Sequence, residues 1–150
     1  MSNIEGYYVN DLITMVLKII TVDDSEKITS HFKYILKDIG KFKWMGHAYS
    51  IQEAKELIKL EKPDVVIIDI ELKEENGFDL LKFIKRIYPD VAVFMLSNTT
   101  DFNDTRKSKQ MGAHYLIDKS FELYNIPNFL MALQSAKNTS QKLNRFESFT

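Results

Sequence analysis

The chain has 150 residues, of which 45% are hydrophobic and 27% charged, and its formal net charge is −1. These values fit one globular domain with an adequate core, and they give no general attraction to nucleic acid or to an anionic membrane. The absence of cysteine excludes disulfides, thiolate catalysis and cysteine-bound zinc, and it is compatible with a reducing, cytoplasmic location.

Five short apolar runs alternate with segments in which apolar residues recur at helical spacing. Short, continuously apolar runs predict buried strands, and the helical spacing predicts amphipathic helices. None of the runs has the length needed to span a membrane, so we expect no membrane partner. The predicted strands cover residues 15–22, 44–48, 65–68, 91–96 and 115–117, and the predicted helices cover 25–39, 50–60, 78–87, 101–111 and 121–137.

Local signals mark the ends and the strength of these helices. Gly40 stands where a helix C-terminus favours glycine, and Ser50 begins a Ser-Ile-Gln-Glu capping box that opens the next helix. The helix at 101–111 has a thin apolar stripe, essentially Phe102 and Met111. We therefore expect the position of that helix to be easy to change.

The alternation of strand and helix predicts an α/β fold with a single domain at 15–137. Crossovers between parallel strands are right-handed, so helices must cover both faces of the sheet. This predicts a doubly wound, five-stranded parallel sheet of flavodoxin type with strand order 2-1-3-4-5. Residues 1–14 show no clear period and form an N-terminal extension, and the polar residues 138–150 indicate a C-terminal tail or truncated linker.

Five polar residues stand where apolar runs end: Asp23, Asp24, Asp69, Ser97 and Lys119. Ligands bind outside the carboxyl ends of strands in such a sheet, so we expect these side chains to lie close together. Three acids favour a divalent cation, and a hydroxyl with a lysine favours an anion. Together they predict phosphoryl chemistry assisted by a metal.

Each of these residues also has an ordinary structural interpretation. Asp23 and Asp24 can cap a helix, Asp69 can form a turn, Ser97 can end a strand, and Lys119 can be a surface lysine. Their joint order along the chain is a stronger signal than any one of them. If folding brings the carboxylates to about 4 Å from one another, each pair repels by about 4 kcal/mol at an effective dielectric of about 20. Bound Mg²⁺, or Mn²⁺, relieves such repulsion through oxygen ligands.

Six segments match the pattern of a known family: 20–25, 63–69, 76–81, 95–97, 112–113 and 118–120. By these segments the chain resembles the receiver domains of bacterial two-component response regulators. The resemblance covers residues 15–137 and implies that Asp69 is the phosphoacceptor. It also implies that Ser97 is the switch hydroxyl and that Lys119 contacts a phosphoryl oxygen.

The same resemblance implies a set of metal ligands. Asp24 binds Mg²⁺ directly, Asp23 binds it through water, Asp69 is a further ligand, and the backbone carbonyl of Glu71 completes the protein's contribution. The cofactor is then Mg²⁺, with Mn²⁺ as the alternative.

Three positions depart from the family pattern. Ser120 and Lys73 stand where the family often has proline. The family's aromatic switch position falls on Leu116, and its neighbour Tyr115 should point to the opposite face because side chains alternate along a strand.

The resemblance also implies partners. A sensor histidine kinase or phosphotransfer protein supplies the phosphoryl group, and a downstream protein or a missing C-terminal effector domain receives the signal. A homodimer through the fourth helix, fifth strand and fifth helix is a further expectation. We expect no direct binding to nucleic acid, because the chain has no helix-turn-helix and no basic stripe.

Two other functions remain open. In the first, the chain is a metal-dependent phosphatase or phosphotransferase with an Asp nucleophile, and Glu71 is the second acid that such enzymes need two residues later. In the second, the chain is a binding module in which the acids are vestigial. The first interpretation makes the chain an enzyme, whereas a receiver at most catalyses its own phosphorylation and dephosphorylation.

Overall fold

The structure, a computed structural model, describes residues 16–37, 41–99 and 101–147. Within those ranges a short 3₁₀ helix, Leu123–Asn125, accompanies five strands and five α-helices. The predicted extension 1–14 and the predicted cap Gly40 lie outside the described residues. The strands are β1 Leu17–Val22, β2 Phe42–Ala48, β3 Val65–Asp69, β4 Ala92–Ser97 and β5 Tyr115–Asp118, and the helices are α1 Glu26–Ile35, α2 Ile51–Glu61, α3 Gly77–Ile87, α4 Phe102–Gln110 and α5 Ile126–Glu147.

The five strands form one parallel sheet in the order β2-β1-β3-β4-β5, which confirms the predicted fold class and strand order. Val22 pairs with Ile68 between β1 and β3, and Ser97 pairs with Asp118 between β4 and β5. These registers bring the carboxyl ends of β1, β3, β4 and β5 to one edge of the sheet. The residues that follow those ends therefore share that edge.

Two apolar clusters, one on each face of the sheet, form the core. The strands supply both clusters, because alternate residues point to opposite faces: Ile67 of β3 belongs to one cluster and Ile68 to the other. Helices α1 and α5 cover the first face with Phe32 and Leu130, and α2 and α3 cover the second. Burial on both faces explains why the central strands β3 and β4 are continuous apolar runs up to their last residue.

The last helix begins and ends later than its periodicity predicted. The predicted helix 121–137 included Phe121, but that side chain is 88% exposed in a turn, and α5 runs from Ile126 to Glu147. The 3₁₀ turn before it buries Leu123 instead, and Pro127 lies in the first helical turn, where its missing N–H costs nothing. Leu130 and Leu133 of α5 are buried against the core.

Helix α4 packs differently from the prediction. Phe102, expected to be part of its apolar stripe, is 77% exposed, and Ser108 is the buried residue of the helix. Met111, just after the helix, does pack against the core. The N-cap Asp101 accepts from the N–H of Asp104 at 2.7 Å, which supports the helix start.

None of the described helices combines the length and the apolar character that crossing a membrane requires.

Candidate functional site

Three carboxylates come together at the carboxyl edge of the sheet, as the order of strand ends predicted. One oxygen each from Asp23, Asp24 and Asp69 lies within 4.8 Å of the others. Asp23 follows β1 and is fully buried, Asp69 ends β3 and is 3% exposed, and Asp24 is half-buried. The cluster is therefore largely shielded from solvent.

The Lys119 ammonium lies between two of these carboxylates. Its Nζ donates to Oδ2 of Asp23 at 2.8 Å and to Oδ2 of Asp69 at 2.6 Å. Burial alone lowers the pKa of Lys119, but the two carboxylates outweigh burial and raise that pKa above its ordinary value. The backbone fixes the position of Lys119, because its N–H donates to the carbonyl of Ser97 at 2.8 Å.

Asp69 has different partners for its two oxygens. Oδ1 accepts from the N–H of Glu71 at 3.1 Å, whereas Oδ2 accepts from Lys119. Burial raises the pKa of the Asp69 carboxyl to about 6, the hydrogen bond from Lys119 opposes that rise, and the charge of Asp23 adds to it. A buried carboxyl with a perturbed pKa beside a charged partner is a candidate reactive group.

Asp23 is held at every polar atom. Its Oδ1 accepts from the N–H of Ser25 at 2.8 Å, and its own N–H donates to the carbonyl of Ala48 at 3.1 Å. Its carbonyl oxygen accepts from Nε2 of His47 at 2.8 Å. With Lys119 on Oδ2, the residue has little freedom to move.

His47 and its partners were missed by the sequence analysis. Nδ1 of His47 lies 2.7 Å from Oγ1 of Thr21, which also accepts from Nε1 of Trp44 at 3.0 Å. Burial lowers the pKa of His47, and the nearby Asp23 backbone and charge oppose that shift. The one available signal was a polar residue beside Gly46 inside a predicted strand.

Ser97 is buried at the end of β4, but its hydroxyl is engaged within its own loop. It donates to the carbonyl of Thr99, and it accepts from the N–H of Thr99 at 3.1 Å. The carbonyl of Ser97 contacts Lys119, so the residue borders the cluster through its backbone. Its predicted contact with a phosphoryl group stays a prediction.

Glu71 reaches Asp69 through its backbone and not through its side chain. The residue is exposed, and it forms an isolated antiparallel bridge with Asn76 that closes the loop between β3 and α3. Asn76 caps α3 by accepting from the N–H of Phe78 at 2.9 Å. The predicted ligand role of the Glu71 carbonyl stays a prediction.

Tyr115 and Leu116 lie on opposite faces of β5, as predicted from strand alternation. The Tyr115 ring packs on Phe94 and Phe129, with centroid distances of 5.1 and 4.8 Å. Leu116 packs against the other core cluster and lines a cleft of about 460 Å³ beside α4. The position that the sequence resemblance assigns to an aromatic switch is therefore occupied by an aliphatic side chain beside a cleft.

The residues present fit a divalent metal ion. Three ionised carboxylates and one ammonium leave two net negative charges within a few ångströms, and the donors are all oxygen. Oxygen donors and partial exposure at Asp24 suit Mg²⁺, which keeps several of its waters. A dication would also balance the excess charge.

The chain matches one known protein family and is similar to several curated proteins. The family model described as "Response regulator receiver domain" matches residues 19–130. The sensory transduction protein LytT of Bacillus anthracis is 32% identical over 80 residues, which are 53% of this chain and 32% of LytT. A protein-glutamate methylesterase/protein-glutamine glutaminase of Bacillus subtilis is 31% identical over 137 residues, which are 87% of this chain and 38% of that protein.

Solved structures give the same picture of the fold. The response regulator domain of Thermotoga maritima CheB has a TM-score of 0.70 and 30% identity, over 82% of this chain and 97% of that domain. The isolated receiver domain of RcsB from Salmonella enterica has a TM-score of 0.74 and 20% identity, over 80% and 89% of the two chains. The chain spans about a third of the length of the curated relatives above.

Proposed function

This chain belongs to the response regulator receiver domain family, and on that premise we propose that Asp69 accepts a phosphoryl group from a histidine kinase or phosphotransfer protein. The observation that carries the proposal is the position of Lys119, whose ammonium is 2.6 Å from Asp69 and 2.8 Å from Asp23. A buried acid cluster with a lysine held inside it has the parts that in-line phosphoryl transfer needs.

The Asp69 carboxylate is the proposed nucleophile. One of its oxygens attacks phosphorus as the bond from phosphorus to the donor's histidine nitrogen breaks, and the product is an acyl phosphate. The Glu71 N–H bond to Oδ1 fixes the plane of the carboxylate before the attack. Because Asp69 is 3% exposed, few waters must be displaced from the nucleophile.

Lys119 exchanges one partner for another during the reaction. Once Asp69 carries the phosphoryl group, its carboxylate has become an acyl phosphate and no longer bears its own negative charge. The ammonium then turns to a phosphoryl oxygen while it keeps Asp23 as a partner. Mg²⁺, when held by Asp24, Asp69 and the Glu71 carbonyl and by Asp23 through water, would neutralise charge on the transferred group.

Ser97 is the proposed switch residue. Its hydroxyl is bonded to Thr99 when Asp69 is unmodified. Phosphorylated Asp69 offers strong acceptor oxygens, and we expect the hydroxyl to leave the Thr99 carbonyl and donate to one of them. That rotation would release the loop before α4 and shift the population of the α4, β5 and α5 face.

The partners follow from this cycle. The proposed donor is a sensor histidine kinase or a phosphotransfer protein, and the proposed location is the cytoplasm. The output passes to a separate protein or to an effector domain, since the curated relatives extend well beyond the matched region. A homodimer through α4, β5 and α5 is part of the proposal.

The phosphatase interpretation receives no support from the position of Glu71. An acid acting two residues after the nucleophile needs its carboxylate in the site, whereas Glu71 is exposed and contacts Asp69 through N–H. Multiple turnover on small phosphoesters would favour that interpretation. We expect a single modification with no such turnover.

Acetyl phosphate with Mg²⁺ tests the proposed function. Intact-mass measurement should find one added phosphoryl group, which hydroxylamine should remove because acyl phosphates are labile to it. Asp69→Asn should abolish the modification, and Asp90→Asn, at an exposed position, should leave it unchanged. Equal labelling of Asp69→Asn and the wild type would refute the assignment.

A further inference from the structure

A bulge in β2 changes which side chains face α1 and α5. Ile19 of β1 pairs with Trp44, but the next residue, Ile20, pairs with Gly46, so Met45 is the extra residue. A bulge of this kind shifts the alternation of side chains along the strand. Trp44 and His47 are three residues apart in β2 and would face opposite sides in a regular strand. Because of the bulge, both face the same side of the sheet as Thr21.

Gly46 is the residue that allows this bulge. Its φ is +155°, a conformation that other residues rarely adopt, and a Cβ there would meet the Leu57 side chain at 3.1 Å. The bulge is thus specified by a glycine and by the packing of α2 against it.

The directions of the hydrogen bonds in this group are determined by chemistry. The Asp23 carbonyl can only accept, so His47 must carry its proton on Nε2. The indole of Trp44 can only donate, so Thr21 accepts from it. The hydroxyl proton of Thr21 is then free for Nδ1 of His47, and a neutral imidazole satisfies every partner.

We propose that His47 is a positioning residue for the metal-dependent reaction, holding Asp23 by its backbone carbonyl, and that Thr21 connects the Trp44 indole to this contact. The inference rests on the proposed function and deepens it. Asp23 must present one side-chain oxygen to the metal site while Lys119 and Ser25 hold the side chain. The histidine fixes the backbone from which that side chain extends, as outer partners of metal ligands do.

The connection gives the chain an internal reporter, because Trp44 is its single tryptophan. Metal binding at Asp23 changes the hydrogen bond between its carbonyl and His47, and that change passes through His47 and Thr21 to a hydrogen bond made by the indole itself. Mg²⁺ should therefore change the emission of Trp44. Thr21→Val should abolish that change and leave the calorimetric affinity within about twofold of wild type, since His47 keeps Asp23.

The hydrogen bond from His47 to the Asp23 carbonyl is called the clamp below. It is tested by calorimetric titration of Mg²⁺ into His47→Phe and His47→Gln. The phenylalanine has no donor, and we expect about a tenfold loss of Mg²⁺ affinity. The glutamine amide can occupy the place of Nε2 and donate, so its affinity should return to within about threefold of wild type. His114→Phe, at an exposed histidine, is the matched control and should bind as the wild type does.

The rate of phosphorylation by acetyl phosphate distinguishes loss of the clamp from general damage to the fold in His47→Phe. In His47→Phe the Mg²⁺ concentration for half-maximal rate should rise, and the rate at saturating Mg²⁺ should stay close to wild type. Should the wild type neither bind Mg²⁺ nor accept a phosphoryl group, the proposed function fails. Normal wild-type behaviour together with unchanged Mg²⁺ affinity in His47→Phe overturns the clamp alone, and so does a glutamine variant no better than phenylalanine.

Discussion

The backbone carbonyl of Asp69 occupies the space that a Cβ on Gly77 would need. Gly77 is the first residue of α3, and its N–H donates to the carbonyl of Ile70 at 2.7 Å. A Cβ there would overlap the Asp69 oxygen and lie 3.0 Å from Cα of Ile70. The start of α3 is therefore fitted directly against the residue proposed to accept phosphate.

Gly77→Ala should destabilise the domain by about 2–3 kcal/mol, because backbone atoms and not a flexible side chain must give way. It should also slow phosphorylation by acetyl phosphate, since Asp69 is displaced. Thermal melting and the labelling rate measure these effects. Gly112→Ala, where the backbone is left-handed but the new Cβ meets only the Lys85 side chain, should cost about 1–2 kcal/mol and leave the labelling rate unchanged.

Asp69→Asn should stabilise the metal-free protein, and by an amount that depends on pH. The pKa of Asp69 is raised to about 6, so its protonated form is favoured by folding. The stability contributed by that proton is present below about pH 4 and is lost as pH rises through about 6. The gain in unfolding free energy from Asn should therefore grow between pH 4 and 7, to at most about 3 kcal/mol, and then stay level.

Denaturant unfolding of both proteins in chelator across this pH range measures the difference. Millimolar Mg²⁺ should stabilise the wild type more than Asp69→Asn, because the variant lacks one of the proposed carboxylate ligands. A gain that is constant from pH 4 to 8 would contradict the raised pKa.

Lys119→Met should destabilise the metal-free protein by about 3 kcal/mol at neutral pH, because it leaves two buried carboxylates without their shared cation. Adding Asp69→Asn to it should recover part of that loss, and the double-mutant cycle gives the coupling. The control is Lys137→Met, whose ion pair with Asp64 is 4.0 Å long and partly exposed, and it should cost less than about 1 kcal/mol. Equal losses for the two lysines would count against a special role of Lys119 in the cluster.

Asp101→Ala should loosen α4 without unfolding the domain. The cap bond to the Asp104 N–H is lost, at about 1 kcal/mol, and the helix buries only Ser108 to compensate. Hydrogen exchange should quicken for the amides of α4. Ser50→Ala, which removes the cap of α2, should leave exchange in α4 as in the wild type; faster α4 exchange there would show that the effect is not local.

Much of the architecture could be predicted because its cause is visible in the sequence. Strands buried on both faces, such as β3 and β4, must be apolar along almost their whole length. Their last residues, Asp69 and Ser97, are polar because they lie at the carboxyl edge of the sheet. The pattern therefore predicted the strand order and the meeting of Asp23, Asp24 and Asp69.

What escaped prediction depends on contacts between elements. The role of His47 requires a bulge at Gly46, and no periodicity indicates how a strand pairs across such a bulge. The exposure of Phe102 and the late start of α5 depend on which side chains the neighbouring elements leave room for. The bonding of Ser97 to Thr99 is a choice of rotamer that residue type alone does not decide.

The sparse anchoring of α4 also bears on how such a domain can diversify. Lys107, 4.5 Å above the ring of Phe78, and the Asp101 cap are among its few fixed contacts. The exposed positions of this helix can change through many substitutions with little loss of folding stability. Selection could thus change the surface of this helix, and with it any partner that binds there, while the acidic cluster is inherited intact.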